Sequence, residues 1–283
     1  MRVIAIANFK GGTGKTVTAT NMAAVMAAKG ERVLLIDADP QHNTSDFYLP
    51  QDAGEVWTLT HVLQGVSEPY WPECVTPTGR EGLDLLPADM ELLSLDLAAI
   101  TKGGRGELAR FHDFLDAIRE DDAYDFVIID CPPSFTAASV AALSEADDVI
   151  LPTRVDAFSR AGVTELIGQV RSLYRTGAGR QPHCRVLITM ADRTNLCRQG
   201  AQLLRASGLD VLGIEIRSCV AVGESSYARQ PLLEYAPRST AACDYVAAVN
   251  EYLAEIKAEV ATPHPAAEGG HLPLEGKADK EVR

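Results

Sequence analysis

The sequence predicts an α/β protein, built on a mostly parallel, doubly wound sheet of about seven strands with helices on both faces. Three observations carry that expectation. Short apolar runs alternate along the chain with longer stretches of helical spacing. Several of those runs end in an aspartate followed by turn residues. The first run leads through a glycine-rich turn, Asn8-Phe9-Lys10-Gly11-Gly12-Thr13-Gly14-Lys15-Thr16, directly into a helical stretch.

Composition bounds the rest. The chain has 283 residues, 46% of them hydrophobic, enough for one sizeable core. A single domain is expected over 1–259. The tail, 260–283, holds prolines and glycines without apolar periodicity and is expected to be disordered. No apolar run approaches the ~20 residues that span a bilayer. The first strand starts at the N-terminus, which leaves no room for a secretory leader. The six cysteines (Cys74, Cys131, Cys184, Cys197, Cys219 and Cys243) include no C-x-x-C pair. They read as thiols of a reducing cytoplasm, not as a disulfide framework or a zinc site. A net charge of −13 argues against a generally basic nucleic-acid binder. The charge is uneven, however. Residues 151–238 hold twelve arginines, no lysine and seven acids, a local +5 that leaves −18 elsewhere. Such a surplus serves either as a solvated face or as a patch for phosphate backbones.

In chain order, Val3-Ile4-Ala5-Ile6-Ala7 reads as a buried strand and 18–29 as a helix stopped by Gly30. Strand, glycine turn and helix together suit a polyphosphate. The glycines let backbone N–H groups approach it, and the helix N-terminus adds partial positive charge. Lys15 would neutralise the β- and γ-phosphates, and the Thr16 hydroxyl would hold Mg²⁺. Gly11, Gly12, Thr13, Gly14 and Val17 complete the expected nucleotide-binding set. The usual pattern G-x-x-x-x-G-K-[ST] fails at its first position, where Phe9 stands, followed by Lys10.

The next strand, Val33-Leu34-Leu35-Ile36, ends in Asp37-Ala38-Asp39-Pro40-Gln41. Its acids fall at the carboxyl end of a buried parallel strand, the edge where open α/β sheets bind ligands. Residues 43–80, with both tryptophans, are less regular and read as a packed insertion with a short helix over 58–64. A strand over 82–87 precedes a Leu-rich helix from Met90. Residues 101–106 are a linker, and 107–120 a helix. Phe126-Val127-Ile128-Ile129-Asp130 is a strand whose terminal carboxylate would sit beside the phosphate loop and hold Mg²⁺. Further strands are expected at 149–152, 185–190 and 211–216. Helices are expected at 156–175, after the 191–196 segment as far as 206, and at 241–259, where Tyr245 and Tyr252 read as core. Arg198 and Arg205, seven residues apart, share one helix face.

The string Lys10-Gly11-Gly12-Thr13-Gly14-Lys15-Thr16 resembles the deviant Walker A loop of the ParA/MinD family of P-loop ATPases. Asp37-Ala38-Asp39-Pro40-Gln41 and Asp130-Cys131-Pro132-Pro133-Ser134 are similar to that family's later motifs, in the right order, and the resemblance runs over about 2–259. It is greatest to the short, Soj-like members. It implies ATP and Mg²⁺ as cofactors, with Thr16, Asp37 and Asp130 around the metal. Lys10 would be a signature lysine that reaches the partner subunit's phosphates, and Asp39 would position the attacking water. Lys10, Lys15 and Asp39 are therefore the expected catalytic residues. The implied activity is slow ATP hydrolysis, stimulated by a ParB-like partner, driving an ATP-dependent homodimer in chromosome or plasmid partitioning.

From Arg217 onward the match loosens. Arginines that serve non-specific DNA binding in relatives correspond to Arg193, present here, and to the place of Ala221. Arg198, Arg205, Arg217 and Arg229 could compensate. MinD-type relatives end in a basic membrane helix, which this tail of prolines and glycines does not resemble, so no membrane partner is expected. The alternative output is positioning of a protein cargo, or regulation of a mobile element, without DNA carriage. An iron–sulfur reductase would need a companion for Cys131, which is missing, and a small-molecule kinase would leave Lys10 unexplained.

Overall fold

The computed structural model describes residues 1–50, 52–65, 70–96, 105–156, 159–175 and 181–261. The expected tail from 262 onward and most of the 101–106 linker lie outside these residues.

Apolar runs of β-rich composition form the strands. In chain order, β1 (Arg2–Ile6) leads to α1 (Lys15–Ala28), β2 (Val33–Asp37) and α2 (Asn43–Tyr48). The insertion holds α3 (Leu59–Gln64), α4 (Trp71–Cys74) and β3 (Thr76–Arg80), before β4 (Leu83–Leu86). A helical turn, α5 (92–96), precedes α6 (Arg105–Glu120), β5 (Phe126–Asp130) and α7 (Ala137–Glu145). Then come β6 (Asp148–Arg154), α8 (Ser159–Arg175), β7 (His183–Thr189), α9 (Asn195–Arg205) and β8 (Asp210–Val211). Two short helices, α10 (Val220–Tyr227) and α11 (Leu232–Tyr235), lead to α12 (Thr240–Ala261).

The strands form one eight-stranded sheet in the order β3-β4-β2-β5-β1-β6-β7-β8. All neighbours are parallel except β3 and β4. Strand alternation divides the core into two layers. Val3, Ala5, Leu34, Ile36, Val127 and Ile129 face α3, α6, α7 and α8, whose Leu63, Leu115, Ala142 and Leu166 are buried against them. Ile4, Ile6, Val33, Leu35 and Ile128 face α1 and α12, meeting Met22, Met26, Tyr245 and Tyr252. Helices therefore cover both faces, and the predicted doubly wound class holds.

Three expectations about elements need correction. The sheet has an eighth strand, β3, within the stretch read as irregular. Pro77 and Gly79 conceal it in the sequence; both are tolerated because the strand is at the sheet edge, with a register shift between Pro77 and Arg80. The strand expected over 211–216 shrinks to Asp210–Val211. The Leu212 N–H still donates to the Val186 carbonyl at 2.9 Å, but the Gly213 and Ile214 amides donate instead to the Glu251 carboxylate at 2.6 and 3.0 Å. The first helix begins at Lys15, three residues early, because Gly14 takes a left-handed φ of 87° and its carbonyl accepts the Thr18 N–H at 2.8 Å. Among the described residues, no helix is long and apolar enough to cross a membrane.

Candidate functional site

The carboxyl ends of β1, β2, β5, β6 and β7 meet at one edge of the sheet, and every sequence-predicted phosphate and metal residue lies there. The loop after β1 is pinned on three sides. Asn8 Nδ2 donates to the Pro152 carbonyl at 2.8 Å, while Asn8 Oδ1 accepts the Lys10 N–H at 3.0 Å. Thr189 Oγ1 donates to the Thr13 carbonyl at 2.8 Å. Gly12 and Gly14 both have positive φ, 71° and 87°, a turn that side chains would strain. A Cβ at Gly11 or Gly12 would meet nothing within 4 Å, so the front of the loop is open. Lys15 opens α1 and is buried. Burial lowers its ammonium pKa, while the charges of Asp130 and Asp39 oppose that shift. Val17 packs against the α1–α12 layer of the core.

Asp130 and Asp37 are register partners at the ends of β5 and β2. Both are buried. Thr16 Oγ1 and Thr44 Oγ1 both donate to Asp130 Oδ2, at 2.8 and 2.7 Å. Asp130 Oδ1 is buried and accepts no hydrogen bond among the described residues. An oxygen in that condition suits a hard cation, for which the Thr16 hydroxyl is a second oxygen donor. Asp37 differs, because both its oxygens are taken. Ser45 donates twice to Oδ2, through N–H and Oγ at 2.8 Å, and the Asp39 N–H donates to Oδ1 at 3.1 Å. Asp37 thus ties down the loop that carries Asp39. Burial first, then the neighbouring Asp130 charge, pushes Asp37 up to about 7. Burial likewise raises Asp130 to about 6. Asp39 is half-buried and accepts the Gln41 N–H at 2.9 Å. Cys131 is a buried turn residue whose thiol pKa burial raises far above its ordinary value.

Lys10 projects from the open side, where it pairs with Asp156 from the loop after β6. Phe9 stacks edge-on with Phe135 at 4.3 Å between centroids. A cleft of about 370 Å³ is lined by Lys10, Gly11, Gly12, Thr13, Arg154, Asp156, Met190 and Asp192, among others. The expected DNA arginines are not equivalent. Arg193 and Arg198 are exposed, with Arg198 donating to the Arg193 carbonyl at 2.9 Å. Arg229 is also exposed. Arg205 pairs with Glu215 at 2.8 Å, and Arg217 is gripped by Asp244 through both its Nε and Nη2. Ala221 packs against the core.

Sequence reasoning missed Thr44, Ser45 and Asp156. Thr44 and Ser45 had a signal, two hydroxyl residues opening a helix just after an acidic turn. Asp156 had none, since its partner lies 146 residues away.

A glycine loop between β1 and α1, with acids at the ends of β5 and β2 beside it, defines a P-loop nucleoside triphosphatase, and Lys10 makes its loop the deviant Walker A type. A family model described as "AAA domain" matches residues 1–181. The chain is 39% identical over 240 residues to the chromosome partitioning protein ParA of Caulobacter vibrioides, covering 83% of this chain and 87% of that one. It is 35% identical over 263 residues to the chromosome-partitioning ATPase Soj of Thermus thermophilus, covering 91% and 97%. Among solved structures, cobyrinic acid a,c-diamide synthase of Mycobacterium smegmatis, with bound ATP analogue and magnesium, superposes with a TM-score of 0.75. That pair is 25% identical over 91% of this chain and 96% of the other. The chain belongs to the ParA/MinD family and is a ParA-like ATPase.

Proposed function

We propose that this chain is an ATP-dependent dimerisation switch for partitioning a chromosome or plasmid. The observation that carries the reading is the division of labour between two lysines. Lys15 is buried at the head of α1, where it serves its own subunit's nucleotide. Lys10 stands half exposed at the mouth of the loop, in position to serve another subunit.

The residues fit ATP and Mg²⁺. Thr16 and the open oxygen of Asp130 would hold the cation, which when bound neutralises charge on the phosphate oxygens. Gly11, Gly12, Thr13 and Gly14 offer backbone N–H groups, and Lys15 offers its ammonium. Asp39, anchored through Asp37, would orient the attacking water. Two subunits would close face to face, each Lys10 reaching its partner's phosphates, so that the ATP-bound dimer gains contacts the monomer lacks. Turnover would be slow until a ParB-like partner stimulates it, and the protein would work in the cytoplasm, associated with the nucleoid. Non-specific DNA would dock on the exposed Arg193, Arg198 and Arg229.

A second reading has one observation in its favour. Arg205 and Arg217 are each paired with an acid, which weakens a continuous basic patch. It assigns the same switch to positioning a protein cargo or regulating a mobile element. Binding of the Asp39→Ala protein to non-specific duplex DNA, with Mg·ATP against ADP at two salt concentrations, separates the readings. Salt-sensitive binding with ATP alone supports partitioning on DNA. Dimerisation without DNA binding supports the second reading, and no ATP-dependent dimer at all rejects the switch.

A further inference from the structure

The cleft in front of the phosphate loop contains a cation that neither the loop motif nor the family resemblance assigns. Arg154 ends β6 and is the one exposed residue of that strand. Its register partner on β7 is Thr189, the residue whose hydroxyl holds the Thr13 carbonyl. Arg154 is therefore one strand spacing, about 4.8 Å, from a residue that touches the phosphate loop. Its side chain lines the same cleft as Lys10 and the open backbone of Gly11 and Gly12.

The charges facing this cleft distinguish Arg154 from Lys10. Lys10 is already neutralised by Asp156. Asp192, also on the cleft, accepts the Thr194 N–H at 2.9 Å and the Thr194 hydroxyl. Those bonds hold its carboxyl below the ordinary range, with the Arg154 charge a lesser contributor. Arg154 itself makes no ion pair or side-chain hydrogen bond among the described residues. A guanidinium that is anchored at its backbone, unpaired at its head and set beside open N–H groups matches a phosphate oxygen better than a surface carboxylate does.

We propose that Arg154 is a polyphosphate ligand of its own subunit's bound nucleotide, acting on oxygens whose charge grows during hydrolysis. This rests on the ATPase reading of the site. Its planar fork can span two phosphate oxygens, which a lysine ammonium cannot do. The bond would strengthen as the transferred phosphoryl group develops negative charge, so kcat should respond more than nucleoside affinity.

The test compares wild type, Arg154→Ala, Arg154→Lys and Lys10→Ala in steady-state hydrolysis of Mg·ATP, with calorimetric binding of ATPγS and AMP and a thermal melt. Arg154→Ala should lower kcat by about tenfold or more, weaken ATPγS and leave AMP affinity and the melting temperature unchanged. Arg154→Lys should recover only part of the loss. Wild-type kinetics in Arg154→Ala, with Lys10→Ala inactive, would overturn the role of Arg154 and leave the ATPase reading intact. Equal weakening of AMP and ATPγS would also overturn it, because the arginine would then serve the nucleoside or the fold. No hydrolysis by wild type would reject the ATPase reading and this inference together.

Discussion

Lys10 and Asp156, 146 residues apart in sequence, form an ion pair across the mouth of the phosphate loop. The two side chains are 51% and 32% exposed, so water screens the pair and its worth is modest. The pair still has a consequence. Lys10 is held by its own chain, and that contact must break before the lysine reaches any other subunit.

Asp156→Asn should therefore ease ATP-driven dimerisation. An exposed pair is worth roughly 0.2–1 kcal/mol, so the midpoint of association in Mg·ATP should fall by up to about fivefold. Sedimentation velocity across a protein titration measures it. A higher midpoint would mean that Asp156 serves the closed dimer instead.

Lys15→Ala should abolish nucleotide binding or hydrolysis while the fold persists. The substitution leaves the apolar residues of both core layers in place, so circular dichroism should be unchanged while ATP binding disappears. Normal ATPase activity in this variant would remove the phosphate-loop assignment.

Asp39→Ala should bind ATP yet fail to turn it over, accumulating the dimer. The loop that carries Asp39 is fastened by Asp37 through the Asp39 N–H and Ser45, bonds that the substitution leaves in place. Size-exclusion chromatography with Mg·ATP reads the outcome, and a monomer would refute the role given to Asp39.

Binding of Mg²⁺ with nucleotide should depend on pH in a defined direction. Burial raises Asp37 to about 7 and Asp130 to about 6, so both retain protons to higher pH than an ordinary carboxyl. The open oxygen of Asp130 binds a cation only when that carboxyl is ionised, so affinity should fall as pH drops from about 7.5 to about 5.5. Calorimetry near pH 6.5 in buffers of different ionisation enthalpy should detect proton release on binding. Affinity that is flat over this range would contradict the shifts.

Stability should be sensitive far from the site, at Asp148. Its carboxylate is fully buried and accepts from Arg185 at 3.0 Å, from the Tyr252 hydroxyl at 2.8 Å and from Arg2. Arg185 is only 1% exposed. Asp148→Ala removes the fully buried acceptor shared by Arg185, Arg2 and the Tyr252 hydroxyl, while Glu259 still pairs with Arg185 at 2.7 Å, and should cost roughly 1–3 kcal/mol in urea unfolding. If the variant is as stable as wild type, the network holds nothing together.

Much of the fold was legible because its signals are local. A buried parallel strand must be apolar throughout, so β1, β2 and β5 announce themselves, and the acids that end β2 and β5 necessarily fall at the ligand-binding edge. Glycine spacing and the two lysines likewise mark the phosphate loop without reference to any distant residue. What depends on contacts between distant segments was not legible. Pro77 and Gly79 disguise β3 because only the neighbouring β4 makes the stretch a strand. Glu251 ends β8 early from a helix 38 residues downstream. Folding also allotted the arginines. Arg185 lies buried on Asp148 and Arg217 is held by Asp244, while Arg154 is left unpaired among the described residues. Charge and residue type are properties of a sequence. Which charges are neutralised, and so which remain to meet a ligand, depends on what folding brings within hydrogen-bond reach.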